Sequence, residues 1–120
     1  MTSYDVYDQL LLTVTPDTSE GTDRLLSLCE NALDWVMRRK KEDVSPDDRR
    51  LAYAASAIAY YNYALSRMTD INDPRDFKAG DINVKKNIME DVAIAEKIRE
   101  SRLIEVSDIL IDTQFGAWNV

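Results

Sequence analysis

Histidine is absent from this sequence, and cysteine occurs once, as Cys29. Without histidine the chain lacks the commonest general base and the commonest metal ligand. A serine nucleophile has no histidine to activate it. One cysteine leaves no internal disulfide and no cysteine-built zinc site, which suits a reducing setting. Glycine and proline number three each in 120 residues. That scarcity favours long regular elements, here helices. The glycine of "AGD" (residues 79–81) stands alone, so no glycine-rich phosphate loop is present. No apolar run approaches the length of a membrane span. The opening "MTSYDVYDQL" has neither the basic region nor the apolar core of a signal peptide. A soluble, intracellular chain is expected, with no membrane contact.

The charge that is present is mostly negative, with 22 acidic against 15 basic residues and a net charge of −7. An acidic surface repels a phosphate backbone, so wrapping or reading DNA is not expected. It does not prevent DNA from sliding past. The basic run "RRKK" (38–41) is followed at once by Glu42 and Asp43. It reads as a solvated helix end, where cations complement the helix dipole, rather than as a nucleic-acid patch. Tyrosines 53, 60, 61 and 63 crowd one segment. Base-stacking platforms come with a basic groove, so packing is the better reading of these rings. Asp70, Asp73, Asp76 and Asp81 suggest calcium. Counted from Asp70, however, the positions that need glycine and glutamate hold Arg75 and Asp81. Caps and turns account for these acids. Cys29 falls on an apolar stripe and reads as core. No metal or cofactor is expected, and a binding or assembly role is favoured over an enzyme.

Apolar spacing predicts an all-α fold, a bundle of about four helices in one domain over 1–120. Val6, Tyr7, Leu10, Leu11 and Val14 predict a short first helix over 4–14, although "LLLTVT" also fits a strand. "TPDT" (15–18) looks like a helix start, and helix two is expected over 22–41. Its stripe is Leu25, Leu28, Cys29, Ala32, Trp35 and Val36. "SPDD" (45–48) is the clearest punctuation, with Ser45 as cap, Pro46 in the first turn and Asp48 as a capping-box acid. Helix three is expected over 46–69. Leu51, Ala54, Ala55, Ile58, Tyr61, Leu65 and Met68 line one side, and Tyr53, Ala57, Tyr60 and Ala64 a flank. A helix apolar around most of its surface belongs at the centre of a bundle. Helix four is expected over 87–113, with Ile88, Val92, Ala95, Ile98, Leu103, Val106, Ile109 and Leu110 within an arc of roughly 140°. Arg99 and Arg102 project within that arc. Either they serve an interface, where arginine is enriched, or their stems lie on the core edge and their heads reach water or Asp91.

Between helices three and four stands "FKAGDINV" (77–84). Its alternation, with Ile82 and Val84 on one side and Asp81 and Asn83 on the other, predicts a short extended, β-like segment. Such a segment has no partner strand in a helical chain and tends to find one on a neighbour.

This run follows "LAYAASAIAYYNYALSR" and precedes "AIAEKIRESRLIEVSDILID", and the chain ends in "QFGAWNV". In these residues and their order the chain resembles the head–tail connector (head completion, neck) proteins of phages and prophages of Gram-positive bacteria. It departs from them where "KKN" follows the run, since small polar residues are usual there. The resemblance implies a non-enzymatic ring subunit that docks beneath the portal protein and extends the DNA channel. Further neck or tail proteins would then bind to it. It implies a place in the virion neck, reached from the host cytoplasm, with DNA passing through unbound. Phe77, Gly80, Asp81, Ile82, Val84, Arg99, Arg102, Phe115 and Trp118 are the residues expected at subunit or partner contacts. The alternative is a small cytoplasmic adaptor or regulatory bundle acting as a homodimer. An enzyme with an acidic site ranks last.

Overall fold

A computed structural model describes residues 1–14, 19–71 and 81–111, with side chains described outside 19–20, 69–71 and 81–86. Among the described residues there are four helices: α1 (Ser3–Leu10), α2 (Ser19–Arg39), α3 (Arg49–Ile71) and α4 (Asp81–Glu105). No strand occurs among the described residues, so the all-α expectation holds.

α3 is the central element and packs against α1, α2 and α4, while α1 also rests on α2. Its composition explains the position. Ala52, Ala54, Ala55, Ala57, Ala59 and Ala64 are all buried, and they face more than one side of the helix. A methyl side chain lets a neighbouring backbone come close, and alanine carries the best helix propensity. Leu65, placed in the core stripe by its spacing, is exposed instead.

The stripe on α2 is as expected. Leu25, Cys29, Ala32 and Val36 are fully buried, and Leu28 and Trp35 pack partly against the same core. One cluster joins them to Val6 and Leu10 of α1, Leu51 of α3 and Leu103 of α4. Full burial of a leucine contributes about 2 kcal/mol. Leu10, Leu25, Leu51 and Leu110 are the largest side chains so placed.

The helix ends differ from expectation, for local reasons. α1 stops at Leu10, and 11–14 turn back through bonds from the Thr13 and Val14 amides to the Leu10 carbonyl, at 2.9 and 3.0 Å. Residues 11–14 are thus neither a strand nor a full continuation of the helix, and Thr15 lies outside the described residues. α3 begins at Arg49, three residues after Pro46. Ser45 does not cap it; its Oγ accepts from the Asp47 amide (3.1 Å) in a local turn. Asp48 takes the cap, accepting from the Arg50 amide at 3.0 Å. That bond satisfies one of the orphan donors at a helix N-terminus. Arg50 in turn donates to Asp48 and to Asp108 (2.8 and 3.2 Å), so the start of α3 is tied to the chain after α4. The Arg50 guanidinium beside it holds the Asp48 carboxyl below its usual range.

The last helix is shorter than expected at its C-terminal end. α4 ends at Glu105, and residues 106–109 form tight turns, with the Ile109 amide donating to the Val106 carbonyl at 3.0 Å. Val106, Ile109 and Leu110 are buried nonetheless. Beyond the turn the chain runs antiparallel to the residues that leave α2. Lys40 and Leu110 form an isolated bridge, in which the Lys41 amide donates to Ile109 (3.0 Å) and the Ile111 amide to Arg39 (2.6 Å). Backbone groups at the ends of two helices satisfy each other there.

At its other end α4 begins earlier than expected. Residues 81–84, assigned an extended conformation from their alternation, form its first turn. The remainder of that segment, 77–80, lies outside the described residues. A four-residue alternation is too short to override a helix that continues for six turns beyond it.

Candidate interaction surface

The basic run at the end of α2 is occupied by local contacts. Arg38 pairs with Asp34 one turn earlier (2.9 Å). The Arg39 guanidinium lies 3.8 Å over the Trp35 ring and donates to the Trp35 carbonyl (3.1 Å). Lys40 donates to the Lys41 and Val44 carbonyls (3.0 and 2.7 Å). Cations closing a helix in this way complement its dipole. The tyrosines are half-buried on α3 and serve as packing and as seats for arginine. Among the described residues no group of three acidic or cysteine side chains is placed to hold a metal.

Cys29 has no exposed surface, and burial, with Glu30 nearby, pushes its thiol up from 9.0 to about 11. The folded chain therefore keeps this proton to higher pH than the unfolded chain. The stability from this group is whole below pH 9 and is lost as pH rises through 11. The total is about 2–3 kcal/mol. Urea unfolding at pH 8 and pH 11 measures it. Wild type should lose about 2 kcal/mol more than Cys29→Ala over that interval. Equal losses would show that the thiol is not held neutral by the fold.

α4 combines one buried side with an outer half on which large apolar residues stand exposed among charged ones such as Glu90, Lys97 and Glu100. Ile88, Ala95, Arg99 and Leu103 turn inward. On the outer half, Ile94 is 52% exposed, Ile104 61%, Met89 50% and Ile98 36%. Single exposed apolar residues need no explanation, but several large ones around one helix mark an interaction surface. Ile98, placed in the core arc by its spacing, belongs to this outer set. Ile94, Ile104 and Met89 were not singled out in the sequence. Their signal was legible there, since they fall outside the arc that contains the rest.

The two arginines of α4 behave differently from each other. Arg102 stays half-exposed, pairs with Glu105 (3.0 Å) and lies 5.7 Å from the Tyr53 ring centre. Asp91, its expected partner, pairs instead with Arg67 of α3 at 3.5 Å. Arg99 does not reach water as a snorkelling side chain does. It is buried, with its guanidinium 4.1 Å over the Tyr61 ring. Of the other expected contact residues, Asp81, Ile82 and Val84 lie on the first turn of α4. Phe77, Gly80, Phe115 and Trp118 fall outside the described residues. No helix among the described residues is long and apolar enough to cross a membrane.

Comparison with known proteins gives no match: no family model, no curated protein and no solved structure corresponds to this chain.

Proposed function

We propose that this chain is a non-enzymatic structural subunit of a phage or prophage neck, a head–tail connector that assembles in copies beneath a portal protein. The observation that carries the assembly role is the outer half of α4, where Met89, Ile94, Ile98 and Ile104 remain exposed although the other side of the helix is packed on α3. An apolar surface of this kind gains free energy when a neighbour covers it. The connector assignment rests on the "FKAGDINV" run and on the order of elements around it. The net charge of −7 is compatible with a channel through which DNA slides unbound. Partners are further copies of the chain, the portal protein and the next neck or tail component.

The test is mass spectrometry of purified virions from a host carrying this gene, alongside sedimentation of the isolated chain. The connector reading expects the chain in virions at several copies per particle. Its absence from virions, together with a stable dimer in solution, would replace the connector with the homodimeric adaptor.

A further inference from the structure

Several arginines among the described residues have an acidic partner: Arg38, Arg50, Arg67 and Arg102 pair with Asp34, Asp48, Asp91 and Glu105. Arg99 is more deeply buried than any of these, at 7% exposure, yet it forms no ion pair among the described residues. Its Nε has no hydrogen-bond partner either. Burying a charge is costly unless it is paired or hydrogen-bonded. The Tyr61 ring beneath the guanidinium offsets part of that cost. Stacking, however, engages only the face of the guanidinium. Its N–H donors lie in the plane of the group and point away from the ring.

The group borders a recess of about 200 Å³ between α2, α3 and α4. Asn31 and Trp35 line it from α2, and Ile58 and Asn62 from α3. The two asparagines add neutral amide donors beside the single cation. We propose that this recess takes a carboxylate, gripped by the in-plane N–H groups of Arg99 with the Asn31 and Asn62 amides beside it. A carboxylate carries one negative charge in a planar fork that matches a guanidinium edge. A phosphate dianion would bring a second charge that no other cation lining the recess answers. The carboxylate comes either from an acidic side chain of another subunit or from a free organic acid. The inference does not depend on the connector reading, and absence of the chain from virions leaves it standing.

Trp35 supplies the probe. In a Trp118→Phe background it is the only tryptophan, since the chain has two. Titration with glutarate at constant ionic strength should change its emission saturably and shift the Arg99 Nε–H resonance. Glutaramide, of the same shape without charge, should do neither. Arg99→Lys keeps the charge but loses the fork and should weaken binding about tenfold or more. Asn62→Leu should weaken it as well. A wild-type response that is absent, or equal for glutarate and glutaramide, overturns the proposal without recourse to any variant. So does an unchanged response in a folded Arg99→Lys protein. Sedimentation in saturating glutarate then distinguishes the sources. If subunits come apart, the native carboxylate belongs to a neighbouring copy. If sedimentation is unchanged, it belongs to a free acid.

Discussion

Replacing Ile94 and Ile104 together by lysine is expected, on the assembly role proposed above, to abolish self-association while leaving the melting temperature within a few degrees of wild type. Both side chains are more than half exposed on the outer half of α4, at 52% and 61%. In the isolated subunit a lysine there remains in water, and exposed substitutions of this kind change stability by less than about 0.5 kcal/mol. Lysine is a good helix former, and near the end of α4 it also complements the dipole. In an assembled state the same ammonium groups lose their water. An unpaired buried charge costs several kcal/mol, enough to weaken association by more than about a hundredfold. Sedimentation velocity beside a circular dichroism melt reads both quantities. Assemblies that persist at wild-type concentrations would remove the outer face of α4 from the interface. A melt that collapses would show that these residues belong to the core.

Leu51→Ala is expected to have the largest effect on the fold itself. Leu51 sits in the first turn of the central helix with no exposed surface, and it belongs to the cluster that unites α1, α2, α3 and the chain after α4. Truncation to alanine removes the transfer free energy of the lost carbons and leaves a void that rigid neighbours close only partly. A cost of about 3 kcal/mol follows, lowering the melting temperature by roughly 10 °C. That is a large share of the stability of a domain this size. Leu12→Ala is the control, since Leu12 is 79% exposed and the same truncation there should change the melt by about a degree or less. If both variants melt alike, the cluster around Leu51 is not where the stability resides.

These two expectations concern parts of the chain that were unequally legible in the sequence. The inward stripe of α2 and the leucine at the start of α3 follow from apolar spacing alone, because a regular helix converts spacing directly into a face. The residues after Glu105 show where that conversion fails. Val106, Ile109 and Leu110 have helical spacing and are buried as the spacing requires, yet the first two stand in turns and Leu110 in the bridge that follows. Spacings of three and four residues place side chains on one side in a helix and in a tight turn alike. Only the antiparallel bridge to Lys40 shows that the helix has ended. The converse error occurs at 81–84, where a brief alternation read as extended is helical. At Ser45–Asp48 the punctuation was legible but the position of the cap was not, since Ser45 and Asp48 are equally competent acceptors.

By itself the sequence determined the helical class, the inward face of α2, most of the inward face of α3 and the central place of the alanine-rich helix. These follow from composition and period, which are local properties. Tertiary structure alone decided the fate of the two arginines of α4. Arg99 and Arg102 share an arc and a chemistry, yet Tyr61 and the recess between three helices enclose the first, while Glu105 and solvent hold the second. Tertiary structure also decided that Ile94 and Ile104 remain uncovered. A helix carries no record of how much of its surface its neighbours will reach, because burial depends on packing partners that are distant along the chain.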